Sequence, residues 1–203
     1  MLRRSLVLVV ALVAALVVVA SAVAASVTVR VEGNTQTIFG SMPAKVDAGN
    51  ALQALDLAST LGEFFYMLTH SSFGAYVSQI GRYPAAGSAG WVFKLDGESP
   101  QVGADKVELK DGDTVLWYWA EFGPTGGPPT LSLAPIVNSP NCYFVVARDD
   151  SGKPTAPTSP VLHVDGRRVK AKLGGTGAAA CVGKHRGLVR AFAVGAVRSN
   201  SVK

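Results

Sequence analysis

The acidic residues Asp96, Glu98, Asp105, Asp111 and Asp113 lie in one stretch, GWVFKLDGESPQVGADKVELKDGDTVLWYWAEF, which also carries all three tryptophans of the chain. Carboxylates so grouped could share general acid and base work, or give oxygen ligands to calcium. The local sequence argues for turns instead. In LDGES and KDGDT the Asp side chain bonds to nearby backbone and the Gly supplies positive φ. DGD also lacks the further Asp or Asn and the closing Glu of an EF-hand loop. His70, His163 and His185 are scattered, with no His or Cys at helix-face ligand spacing. Ser41, Ser71, Ser72 and Ser78 have no GxSxG context for a nucleophile elbow. GGTGAAAC, Gly174 to Cys181, is glycine-rich but has no closing Gly-Lys-Ser/Thr, and reads as a loop. No catalytic residue and no metal ligand is expected.

The aromatic residues carry more. In DTVLWYWA the period of two in a strand places Val115, Trp117 and Trp119 on one face and Leu116, Tyr118 and Ala120 on the other. In GWVFKLDG the apolar set is Trp91, Phe93 and Leu95, so Trp91 and Trp117 are expected in a core. Trp119 and Phe122, near the strand end, and Tyr118, on the opposite face, are the candidates for contact with a flat apolar ligand or a partner protein.

These residues need a scaffold, and the patterning supplies one. VTVRVEG alternates Val27, Val29 and Val31 with polar residues, as a half-buried strand does. A second strand is expected through QTIFG or AKV. DAGNALQALDLASTLG then puts Ala51, Leu52, Leu55, Ala58 and Leu61 on one helical stripe, with Gly62 as the stop. Short strands return at EFFYML, GAYVSQI, WVFKL and TVLWYWA. One helix packed on a mixed sheet is the economical arrangement.

Beyond it the composition changes. Residues 26–133 hold six Lys and Arg against eleven Asp and Glu, a formal charge of −5; residues 134–203 hold eleven against three, or +8. GPTGGPPTLSLAPIVNSPN is rich in Gly and Pro, and a linker is expected at 124–140. Residues 141–203 show strand patterns only, with Asp165-Gly166 as a hairpin turn, and read as a small all-β sandwich domain.

The first 25 residues have Arg3 and Arg4, an apolar run from Leu6 and an Ala22-Val23-Ala24 site, the pattern of a secretory signal peptide. A retained anchor is the alternative, since the run approaches the roughly 20 residues that span a bilayer. Both readings place the remainder outside the cytoplasm, secreted or at the cell surface. Two cysteines in an exported chain suggest one disulfide, Cys142 to Cys181.

The order VTVRVEG, NALQALDLA, FGAYVSQI, GWVFKLDG and LKDGDTVLWYW, from about Val27 to Phe122, resembles the transcobalamin-like C-terminal domain, DUF4430. The resemblance implies a ubiquitin-like β-grasp over residues 26–123, and hence an α+β chain with a β-sandwich behind it. It also implies ligand-facing positions at Asp96, Gly97, Trp119 and Phe122. In cobalamin transporters this domain closes over the corrinoid against a helical barrel, and no such barrel is present in this sequence. Residues 141–203 resemble immunoglobulin-like or carboxypeptidase-regulatory-like modules. Sulfur carriers of the β-grasp type end in an exposed Gly-Gly tail, whereas Gly126-Gly127 runs into Pro128-Pro129 and further chain.

The expected function is therefore binding without catalysis. The first domain is expected to recognise a small ligand, corrinoid-like in one reading, or a surface protein. The basic second domain is expected to attach to an anionic cell-surface polymer or to act as a spacer, and nucleic acid is not an expected partner. Two alternatives stand beside this. One is an adhesion or assembly module without a small ligand; the other is that the opposite charges hold the two domains together.

Overall fold

The computed structural model describes residues 24–71 and 74–203. The expected signal segment up to residue 23 lies outside the described residues, as does Ser72. The chain is mostly β with one short helix: β1 (Ala25–Glu32), β2 (Thr37–Ala48), α1 (Ala51–Leu61), β3 (Tyr66–Ser71), β4 (Gly74–Ile80), β5 (Tyr83–Pro84), β6 (Ala89–Leu95) and β7 (Thr114–Glu121) come first. Then follow β8 (Thr130–Pro135), β9 (Cys142–Arg148), β10 (Pro154–Thr155), β11 (Val161–Val164), β12 (Arg167–Lys170), β13 (Lys172–Gly174), β14 (Gly177–Cys181), β15 (Val189–Phe192) and β16 (Ser201–Val202). Among the described residues no helix is long and apolar enough to cross a membrane.

The first core lies between α1 and a mixed sheet of order β2-β1-β7-β6, with β1 and β7 parallel at its centre. Val27, Val29 and Val31 all point to the helix side, and Ala51, Ala54, Leu55 and Ala58 meet them from α1. Asn50 caps α1, its side chain accepting from the Gln53 amide, and Gly62 ends it. The stripe differs from the expected one at its end: Leu61 is exposed and Ala54 is buried. A separate small sheet, β3-β4-β5, closes one flank.

The second core is enclosed by two sheets, one of β8, β10, β9, β14 and β13, the other of order β12-β11-β15-β16. Leu131, Leu133, Tyr143 and Val145 face Leu162, Val164, Val189 and Ala191 across it. β8 forms inside the stretch expected as linker, because Leu131 and Leu133 alternate inward and Pro135 comes only at the strand end. Its outer edge is covered by the Asn200 amide, which donates to the Leu133 carbonyl at 2.9 Å and accepts from the Leu133 N–H at 2.8 Å. A disulfide joins Cys142 and Cys181, which face each other in the β9–β14 register.

The two cores meet face to face. Leu116, Tyr118 and Ala120, on the β7 face away from α1, form a cluster with Val197. Arg30 and Glu32, the polar residues of β1 expected at its solvent face, are buried for the same reason.

Candidate functional site

The five positions singled out by sequence do not converge. Asp96 and Gly97 form a tight turn with φ of 51° and 91°, closed by hydrogen bonds in both directions between Leu95 and Glu98. The Asp96 carboxylate accepts from the Thr114 N–H at 2.9 Å, so it serves its own turn. This turn packs on the second core: a Cβ at Gly97 would lie 3.1 Å from the Arg148 side chain, and the Ser99 N–H donates to the Asp150 carbonyl. Trp119 packs edge-on against Trp91, with centroids 5.8 Å apart, and against Tyr83. Tyr118 is 1% exposed, because the second core covers that face; the expected aromatic platform there is interface. Phe122 is 40% exposed. Asp96 and Gly97 border one cavity, Trp119 a second, and Tyr118 with Phe122 a third.

The third cavity is the one built for apolar contact. It measures about 320 Å³ and opens along the free edge of β6, at Trp91, Val92 and Phe93. Leu52 of α1, Ala104 and Trp117 wall the helix side; Ala75, Tyr76 and Val77 of β4 face β6 across it. Tyr118, Phe122 and Asp150 line the other side. The floor is rigid, since Phe93 stacks on Trp117 at 5.1 Å and the Trp117 indole N–H donates to the Ala51 carbonyl at 3.2 Å. Its polar groups are few: the Tyr118 hydroxyl donates to Asp150 Oδ1 at 3.3 Å, and the Gly127 N–H donates to Oδ2 at 3.2 Å. Burial, followed by the Asp150 charge, raises the Tyr118 pKa well above the ordinary phenol value, so this hydroxyl stays protonated.

Charged groups beside the cavity hold the two cores together. Lys94 has no exposed side-chain surface; its ammonium donates to Thr130 Oγ1 at 3.2 Å and to the Arg148 and Asp149 carbonyls, with Asp150 Oδ1 at 3.8 Å. Burial lowers the Lys94 pKa, and Asp150 opposes the change. Glu32 is 1% exposed and bound by three guanidinium groups, Arg30 at 3.1 Å, Arg198 at 2.8 Å, and Arg190. Burial lowers Arg30 to about 10 against the pull of Glu32, with Arg190 adding to the lowering. Two cations of the basic segment are thus spent on one carboxylate of the acidic one.

Two further carboxylates bond to backbone: Asp113 Oδ2 accepts from the Lys110 N–H within its own turn, and Asp111 Oδ1 accepts from the Ser26 N–H of β1, each at 2.8 Å. Among the described residues no group of three or more His, Cys, Asp and Glu is placed to hold a metal ion. Sequence reasoning missed Asp150, Lys94 and Glu32. A lysine inside the apolar run WVFKL was the available signal for Lys94; nothing local marks Asp150, which reaches the cavity from the β9–β10 turn.

The elements define a helix-backed mixed sheet with an apolar cavity at its edge strand. Residues 49–121 carry a match to the family described as "Domain of unknown function (DUF4430)", so this part of the chain is a DUF4430 domain. Among solved structures, haptocorrin in complex with Cbi is similar over 49% of this chain at 21% identity and a TM-score of 0.43; the similarity covers 25% of the haptocorrin chain. A candidate metal-binding protein from Ruminococcus gnavus is similar over 49% of this chain and 99% of its own, at 16% identity and a TM-score of 0.39. No curated protein matches the sequence.

Proposed function

We propose that the chain is an exported, non-catalytic binding protein: a ubiquitin-like β-grasp domain at 26–123, a connecting stretch at 124–140 that lends β8 to the second core, and a small β-sandwich at 141–203. Its cavity along β6 holds an apolar group of the ligand. The observation that carries this is the cavity itself, apolar around most of its wall, with the Tyr118 hydroxyl and the Asp150 carboxylate among its few polar groups. Ligand pockets follow that pattern, a mainly apolar wall with few polar groups that orient the occupant. At about 320 Å³ the cavity is near the lower limit of such pockets, so a corrinoid would contact it by an edge and not be enclosed.

Trp91 and Trp117 line the cavity and report on it directly. Tryptophan fluorescence should change saturably with indole or a corrinoid, and Ala104→Phe, which fills the space, should remove the response while the melting temperature holds. An unchanged response in the filled variant would reject the site.

The basic segment supports surface attachment through its exposed hairpin. Arg167, Arg168, Lys170 and Lys172 are exposed there, whereas Arg190 and Arg198 are engaged with Glu32. Retention on an immobilised polyphosphate should fall with salt, and fall further when the four exposed residues become Gln.

A further inference from the structure

We infer that the cavity's occupant is one strand of a partner, an extended peptide in which an apolar residue alternates with a basic one, added to the open edge of β6. The inference rests on the binding role proposed above and names the occupant of the same site.

The edge follows from the β6–β7 ladder. That ladder runs without a register shift from Ala89↔Glu121 to Leu95↔Val115. Beyond its two ends the Phe122 N–H donates to the Ser88 carbonyl and the Asp96 N–H to the Thr114 carbonyl. In an antiparallel pair alternate residues exchange hydrogen bonds, so the even positions of β6 bond to β7 and the odd ones point away. At the ends those outward groups are satisfied within the chain, Ala89 by Ala86 and Leu95 by Glu98. In the middle, Trp91 and Phe93 turn their N–H and C=O groups toward the cavity, and no described group pairs with them. Buried backbone groups are nearly always paired, and an open edge is a template for another strand. β8 shows the contrast, its edge being occupied by Asn200.

Chemistry on the two sides of β6 gives the sequence pattern. Residues directly opposite in an antiparallel ladder share a face, so a strand residue bonded to Trp91 or Phe93 puts its side chain on the Leu52, Ala104 and Trp117 side, which is apolar. The residue between, opposite Val92, faces Tyr118 and Asp150. Asp150 keeps a side-chain exposure of 39% with Lys94 no nearer than 3.8 Å, and residues 26–133 carry a net −5. A Lys or Arg at that intervening position is the complementary group. Edge hydrogen bonds supply affinity, and alternate side chains supply selection.

The probe is the peptide acetyl-Thr-Val-Lys-Leu-Lys-Val-Thr-amide, added to the chain lacking its first 24 residues. Two measurements follow, affinity by tryptophan fluorescence and amide hydrogen exchange by NMR. At saturation the exchange of the Trp91 and Phe93 amides should slow at least tenfold. N-methylation of the Val and Leu nitrogens, which keeps the side chains but blocks the ladder, should weaken binding at least tenfold. Glu in place of Lys should weaken it similarly, and Asp150→Asn should reduce the Lys-to-Glu preference severalfold. Binding that survives N-methylation, or that leaves the two amides unprotected, overturns the strand proposal. Indole bound in the cavity alongside no peptide protection would sink the peptide while the apolar-ligand reading stands; neither probe binding would sink both.

Discussion

Replacing Glu32 by Gln tests how the two cores are joined. Glu32 is all but sealed from solvent, and its two oxygens receive Arg30, Arg190 and Arg198, two of these from the C-terminal segment. Gln keeps the shape and can accept one or two of these bonds, but it removes the negative charge that the three guanidinium groups share. Breaking a buried pair by removing one partner costs about 3–5 kcal/mol, whereas an exposed pair contributes about 0–1 kcal/mol. The structure selects the first range, because none of the three cations has more than a small exposed fraction through which water could replace the carboxylate. For a chain of this size each kcal/mol shifts the melting temperature by about 2–4 °C, so a fall of about 6–20 °C is expected. Urea unfolding should give the free energy, and 0.5 M NaCl should change the difference little, since buried charges are poorly screened. A loss below about 1 kcal/mol, or one abolished by salt, would refute a buried ionic joint.

Trp117, 2% exposed and stacked on Phe93, should lose about 3–5 kcal/mol on replacement by Ala, while the half-exposed Phe122→Ala should lose about 1 kcal/mol or less; thermal melts of the two variants compare them. Cys142→Ser with Cys181→Ser should cost about 4 kcal/mol from the entropy of a loop closed across 39 residues, read by urea unfolding with the parent under non-reducing conditions. His163 accepts from Arg168 Nε at 3.1 Å, and burial followed by that cation lowers its pKa below 6.5. The folded chain therefore binds this proton less readily than the unfolded one, so its contribution is present above pH 6.5 and declines as pH falls below it; His163→Gln should flatten the stability profile there, and an NMR titration midpoint above 6.5 would reverse the sign. A fragment of residues 26–123 exposes Leu116, Tyr118, Lys94 and Glu32 and should bind a hydrophobic dye and melt below the whole chain.

The elements were legible where local pattern decides them. The Val27, Val29 and Val31 alternation, the helix from Ala51 to Leu61 and the three Asp-Gly turns at 96–97, 111–112 and 165–166 depend on period and turn chemistry, and all occur. What sequence could not place was the second use of each strand's outer face. Arg30, Glu32, Lys94 and Tyr118 read as solvent-side residues by period alone, and only long-range packing buries them. The Gly/Pro-rich stretch misled for a related reason. Two leucines spaced by one residue suffice for an edge strand once β9 is there to pair with it.

That second covering also decides where recognition can occur. A sheet with one face on a helix ordinarily keeps its other face for solvent or a ligand, and aromatic residues on that face would then be the natural platform. Here α1 takes one face of β7 and the cluster around Val197 takes the other, so Trp117 and Tyr118 are both committed to packing. What remains accessible is the sheet's edge. β2 ends one side, and β6 ends the other with two residues whose backbone groups point into an apolar space. The C-terminal segment does more than cover the sheet, because among the described residues Asp150 is the one carboxylate lining that space and it comes from the turn after β9. A binding edge on the first core whose charge is delivered by the second requires the two to be held in register. The Glu32 cluster and Lys94 provide that rigidity from either side, so loosening the joint should weaken binding even though no residue of the Glu32 cluster lines the cavity.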